Sequence, residues 1–94
     1  MIVELVLYVA GQTAASVRAR RNLESLLAGH AGAGIRVEIK DVAVDVEAAE
    51  RDRVVFTPTL IVRAGGVETR ALGDLADGSA LAGILTLGGV EKTG

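Results

Sequence analysis

The chain has 94 residues, 50% of them apolar, and only two aromatics, Tyr8 and Phe56. That is enough for one domain with a modest core built from Val, Leu, Ile and Ala. A net charge of -2 gives no basic footprint for nucleic acid and no large acidic field, and the scarcity of aromatics removes the usual stacking platform for single strands. No apolar run approaches about 18 residues, so no membrane-spanning helix is expected. The first apolar run has a strand's length and no basic region ahead of it, unlike a signal peptide. The absence of cysteine permits any redox compartment, and with no export signal the cytoplasm is the expected one.

Taken in order, Ile2 to Val9 is apolar except for Glu4, the pattern of a central strand covered on both faces. Ala10-Gly11-Gln12-Thr13 is a turn, and Thr13 is placed to cap a helix running from Ala14 to about Gly29. Ala15, Ala19, Leu23, Leu26 and Leu27 share one side of that helix; Arg18, Arg21 and Ser25 share another. Ile35 to Asp41 alternates apolar and charged residues, as a half-buried edge strand does. Two strands joined by a helix predict a right-handed parallel unit. Asp45 can cap a short helix from about Val46 to Arg53. Pro58, the only proline, opens a third strand, Thr59 to Arg63, where a missing N–H costs no ladder bond. Ala64-Gly65-Gly66 suits a hairpin turn, and Val67 to Leu72 returns as a fourth strand. Gly73-Asp74 breaks it, and Asp77 opens a last helix weakened by Gly78 and Gly83. The sum is an α/β domain, βαβαββα, with sheet order 2-1-3-4. Residues 1–87 form it, and 88–94 are expected to be a flexible tail.

Candidate chemistry is sparse. Gly29 to Gly34 is glycine-rich, but it leaves a helix and enters a strand, the reverse of a phosphate loop. His30 is the only histidine and has no second histidine or cysteine to complete a metal set. Asp41, Asp45 and Asp52 gather near the end of the second strand, where α/β sheets bind ligands. Capping suits Asp45, and a solvated helix surface suits Asp52, better than acid–base work or Mg²⁺ binding. No catalytic residue and no cofactor are expected. Arg18, Arg20 and Arg21 are either a solvated face or a docking surface for an acidic partner.

A helix, an X-Pro-Thr strand entry and a hairpin together resemble the layout of thioredoxin-like domains, in which that X-Pro bond is cis. Such enzymes use a thiolate, which this chain lacks. More specifically, Leu7 to Thr13 followed by Ser16-Val17-Arg18-Ala19 resembles the amino-terminal signature of the KaiB family of circadian-clock proteins. Lys40-Asp41-Val42, Ala49 to Arg53, Thr57-Pro58-Thr59-Leu60 and Arg70 to Asp77 continue the resemblance in order. It covers about Leu5 to Leu87. The chain departs from the pattern at Ala14 and at Ala64-Gly65-Gly66, where family members usually have prolines, and at Phe56, where they have a smaller residue.

The resemblance implies a non-enzymatic protein that binds a hexameric KaiC-type ATPase, with KaiA or a sensor histidine kinase as further partners. It also implies two folds, a monomeric thioredoxin-like one that binds KaiC and a tetrameric βαββααβ one, so a homodimer or tetramer is a possible assembly. Together with the basic first helix, it places partner contacts at Tyr8, Gln12, Thr13, Arg18 and Asp41. It gives Pro58, Gly73 and Asp74 structural roles. Gly65-Gly66 suits a hairpin better than a helix, which favours the thioredoxin-like architecture. Two other readings stay open: a paralogue acting on another ATPase or a sensor kinase in stress signalling, and a thiol-independent transferase.

Overall fold

The computed structural model describes residues 2–28, 34–73 and 75. The elements are β1 (Val3–Val9), α1 (Ala14–Ala28), β2 (Ile35–Asp41), α2 (Val46–Arg51), β3 (Thr59–Ala64) and β4 (Val67–Leu72). Their order is βαβαββ, and the four strands form one sheet in the order β2-β1-β3-β4. β1 and β2 are parallel, with Val3 opposite Ile35 and Val9 opposite Asp41. β3 is antiparallel to both β1 and β4. Where the alternative architecture would rebuild the chain, residues 59–72 instead form a hairpin. The predicted last helix, the tail, Asp74 and His30 lie outside the described residues.

The apolar run of β1 is explained by its place in the sheet. Leu5, Leu7 and Val9 face α1 and pack with Ala19, Leu23, Leu60 and Val62. Val6 and Tyr8 face the other way, onto Ala48 and Ala49 of α2 and Ile61 of β3. The hairpin between β3 and β4 turns on Gly65 and Gly66, at φ +57° and +80°. Positive φ at both central residues is what a two-residue type I′ turn requires, and its twist matches that of the flanking strands. The Thr57-Pro58 bond is cis, as the resemblance implies.

Three local expectations need correcting. The β2 alternation predicts a buried apolar face, yet Val37 and Ile39 are 38% and 40% exposed. Of Ile35, Val37 and Ile39 only Ile35 packs against the core, whose buried strand residues all lie on β1 and β3. Asp45 does occupy the N-cap position of α2, but its side chain makes no capping bond. That helix also ends earlier than its pattern suggests, since Arg53 takes the left-handed conformation at φ +52°. The Arg53 N–H then reaches Glu50 O at 3.1 Å, and the Val54 N–H reaches Ala49 O at 3.0 Å. This is the paired bonding of a Schellman motif.

Candidate functional site

The sheet brings the ends of β1 and β2 side by side, and a short set of hydrogen bonds fixes the loops that leave them. The Asp41 carboxylate accepts from the Gly11 N–H at 3.0 Å and the Ala43 N–H at 2.8 Å. One side chain thus ties both connections together. Gly11 has φ +56°, a left-handed conformation that glycine adopts without strain. From the other side, the fully buried Ser16 accepts from the Ala10 N–H at 3.0 Å. Thr13 Oγ1 accepts from the Ser16 N–H at 3.3 Å, the N3 contact of an N-cap. Residues 10–16 are therefore held at both ends while Gln12 and Thr13 stay exposed.

β3 starts at this same end of the sheet, with Thr59 opposite Tyr8. The Gly73 N–H donates to Pro58 O at 3.0 Å, and Thr59 Oγ1 donates to Phe56 O at 2.6 Å. Apolar side chains are exposed at this end: Val44 by 79% and Phe56 by 65% in the connections, and Leu72 by 62% at the end of β4. The face is polar at its pinned loop and apolar in the connections around it.

Of the residues singled out from sequence, Gln12, Thr13 and Asp41 come together here. Arg18 lies on the exposed side of α1, five residues or roughly 7 Å of helix rise beyond Thr13. Gly73 is joined to Pro58, and Asp74 lies outside the described residues. Tyr8 stands apart. It is on the α2 face, its side chain is fully buried, and its hydroxyl, read from the sequence as available to a partner, donates to Asp52 within the chain.

That bond belongs to a network that sequence reasoning missed. Asp52 is read as solvated helix surface, yet its side chain is only 14% exposed and accepts from Arg63 at 2.9 Å as well as from Tyr8. Arg63 also reaches Glu4 at 3.4 Å and Glu68 at 3.2 Å. Arg70 donates to Asp52 O, and to Arg53 O at 3.4 Å, the two carbonyls that follow α2. Burial, together with the bond to the Asp52 carboxylate, pushes the Tyr8 hydroxyl up to about 12. Burial works to raise the Asp52 carboxyl, but the Tyr8 bond and the Arg63 charge outweigh it and hold the group below its ordinary value. Neither group titrates near neutrality, so the network suits structure and not proton transfer. Among the described residues no three histidine, aspartate or glutamate side chains converge as metal ligands.

Comparison with known proteins decides the family. The KaiB domain model matches residues 6–85. The chain belongs to the KaiB family. The circadian clock oscillator protein KaiB of Synechococcus elongatus is 37% identical over 73 residues, covering 78% of this chain and 72% of that protein. Its counterpart in Microcystis aeruginosa is 36% identical, over 78% of this chain and 70% of its own. In three dimensions this KaiB-family chain has the thioredoxin-like fold. Fasciola hepatica thioredoxin superposes with a TM-score of 0.76 at 20% identity, over 93% of this chain and 81% of that one. Trxlp of Edwardsiella tarda superposes with a TM-score of 0.76 at 28% identity, over 89% and 82%. The family's thioredoxin-like scaffold here carries no cysteine. Among the described residues no helix is long and apolar enough to cross a membrane.

Proposed function

We propose that this chain is a non-enzymatic, cytoplasmic timing protein that binds a KaiC-type hexameric ATPase in the architecture described above. The contact surface is the end of the sheet carrying Gln12, Thr13 and Asp41, extended along α1 by Arg18. The observation that carries this reading is the Asp41 carboxylate holding the Gly11 and Ala43 N–H groups. It gives an exposed loop a fixed shape before any partner arrives, and preorganisation of this kind lowers the ordering cost of binding. Tyr8 acts from beneath, through the packing of β1 against α2, and not as a contact.

The resemblance adds two expectations to this proposal. The chain exchanges with a second, tetrameric fold when unbound, and a KaiA-like protein or a sensor histidine kinase competes for or joins the complex. The test is a titration of the purified chain against a purified KaiC homologue, with ATP and with ADP. Arg18→Glu is expected to weaken binding by more than about 1.4 kcal/mol, a tenfold change, with the fold left intact. Equal affinity for parent and variant would remove α1 from the interface. Binding to a sensor kinase or another ATPase, with none to KaiC, would turn the reading to a paralogue in stress signalling.

A further inference from the structure

Tyr8 and Phe56 are the only aromatics of the chain, and the fold treats them oppositely. Tyr8 is fully buried. Phe56 is 65% exposed, and among the described residues it joins neither core cluster. Its exposure is not that of a loose loop. Two residues before it, Val54 packs against the cluster of Tyr8, Ala48 and Ala49, and its N–H donates to Ala49 O at 3.0 Å. Two residues after it, Pro58 is fully buried and its carbonyl accepts from the Gly73 N–H at 3.0 Å. The Phe56 carbonyl itself accepts from Thr59 Oγ1 at 2.6 Å. The main chain is thus pinned before, at and after the ring.

This loop lies at the end of the sheet proposed above as the contact surface. Thr59 stands opposite Tyr8 of β1 on one side and opposite Leu72 of β4 on the other, with neighbouring strands about 4.8 Å apart. Tyr8 leads within three residues to the pinned Gly11, so residues 10–13 and Phe56 flank the same strand ends. Leu72 is also exposed, by 62%. The end of the sheet therefore has two halves. Gln12, Thr13 and Asp41 make a polar half over β1 and β2, and Phe56 and Leu72 make an apolar half over β3 and β4.

We propose that Phe56, seconded by Leu72, is the anchor of this contact, and that its ring enters an apolar pocket on the ATPase partner. The inference rests on the function proposed above and adds what that partner must carry. A specific interface buries about 800 Å² of each protein. One loop and one arginine supply neither that area nor an apolar centre. Interfaces are apolar at the centre and polar at the rim, and their binding energy gathers on a few aromatic and arginine side chains. Phe56 is the one exposed aromatic that can take the centre, with Gln12, Thr13 and Arg18 as rim. An aromatic ring on a fixed main chain has only two side-chain torsions to lose on docking. A side chain this exposed walls no cavity of its own, so the pocket belongs to the partner.

The test is a titration of parent and variants against a purified KaiC homologue, with circular dichroism checking that each variant folds. Phe56→Ala is expected to weaken binding at least about thirtyfold. Phe56→Leu, which keeps most of the apolar contact, is expected to lose less than about tenfold. Raising salt from about 0.1 M to about 1 M should leave the Phe56→Ala loss in place while the Arg18→Glu loss shrinks, because screening acts on charges and not on an apolar contact. Equal binding by parent and Phe56→Ala, or a Phe56→Ala loss that salt abolishes, would overturn the inference and leave the proposed function standing. No binding by the parent would remove the function and the anchor together. Sedimentation reads the other occupant: a dimer formed by the parent and lost in Phe56→Ala would give the apolar half to a second copy and overturn the proposal.

Discussion

Tyr8 is the residue whose environment is least guessable from its neighbours in sequence. Its burial follows from the apolar run around it, but its acceptor is Asp52, 44 positions away on the far side of a helix and a crossover. Nothing in a local pattern marks Asp52 as more than the polar end of an amphipathic helix. Only the fold places it under the β1 ring and beside Arg63. The bond has a measurable consequence. Tyr8→Phe leaves Asp52 paired with Arg63 but removes one charge-assisted bond, at a cost of about 1.5–3 kcal/mol in chemical denaturation. The pH dependence has two limbs. The Tyr8 hydroxyl titrates higher in the folded chain than its ordinary 10.0, at about 12, so the stability it supplies is complete below pH 10. That stability is lost as pH rises toward 12. Asp52 is depressed, so its contribution is present above the ordinary carboxylate value and is lost as the pH falls below it. In Tyr8→Phe the loss between pH 10 and 12 should disappear while the acid limb persists; an unchanged alkaline limb would detach Tyr8 from it.

At the scale of elements, periodicity and turn residues carried most of the information. The β2 and β4 bounds, the start of α1 behind Thr13 and the glycine hairpin all follow from residues whose conformational demands are local. The end of α2 does not, because an arginine there occupies a conformation that sequence rules reserve for glycine or asparagine. Arg53 is tolerated at φ +52° since its main chain completes the helix end and Arg70 bonds its carbonyl. Val54, packed against the Ala48–Ala49 cluster, supplies the hydrophobic contact that accompanies such ends. The left-handed backbone costs a residue with a Cβ about 1–2 kcal/mol, part of which glycine gives back as unfolded-chain entropy. Arg53→Gly should therefore stabilise the chain by about 0.5–1 kcal/mol. A lower denaturation midpoint for the variant would mean that the exposed arginine side chain contributes more than its backbone costs.

Across the whole molecule the sheet is unevenly protected, and the unevenness bears on how the binding end is supported. The glycines at 65, 66, 73, 78 and 83 suggest from sequence that residues 2 to 41 are better packed than residues 67 to 87. The structure divides the chain differently, by depth in the sheet. β1 lies between β2 and β3 with both its faces covered, and Leu5, Leu7, Tyr8, Val9, Leu60 and Ile61 have no measurable exposure. β2, although it precedes α2 in the chain, has no buried residue. Amides that open only with global unfolding are those of buried central strands, whereas exposed edges open locally at lower cost. Hydrogen exchange should thus be slowest for residues 5–8 and 60–62. It should be faster in β2, even at the even-numbered amides that bond to β1. The loops that carry Gln12 and Asp41 leave one strand of each kind, and the Asp41 carboxylate joins them. Asp41→Ala would cut that join, so it should speed exchange at Gly11 and along β2 while leaving residues 60–62 at the parent rate. If protection fell equally in β3, Asp41 would be a determinant of global stability and not of the shape of the loop end alone.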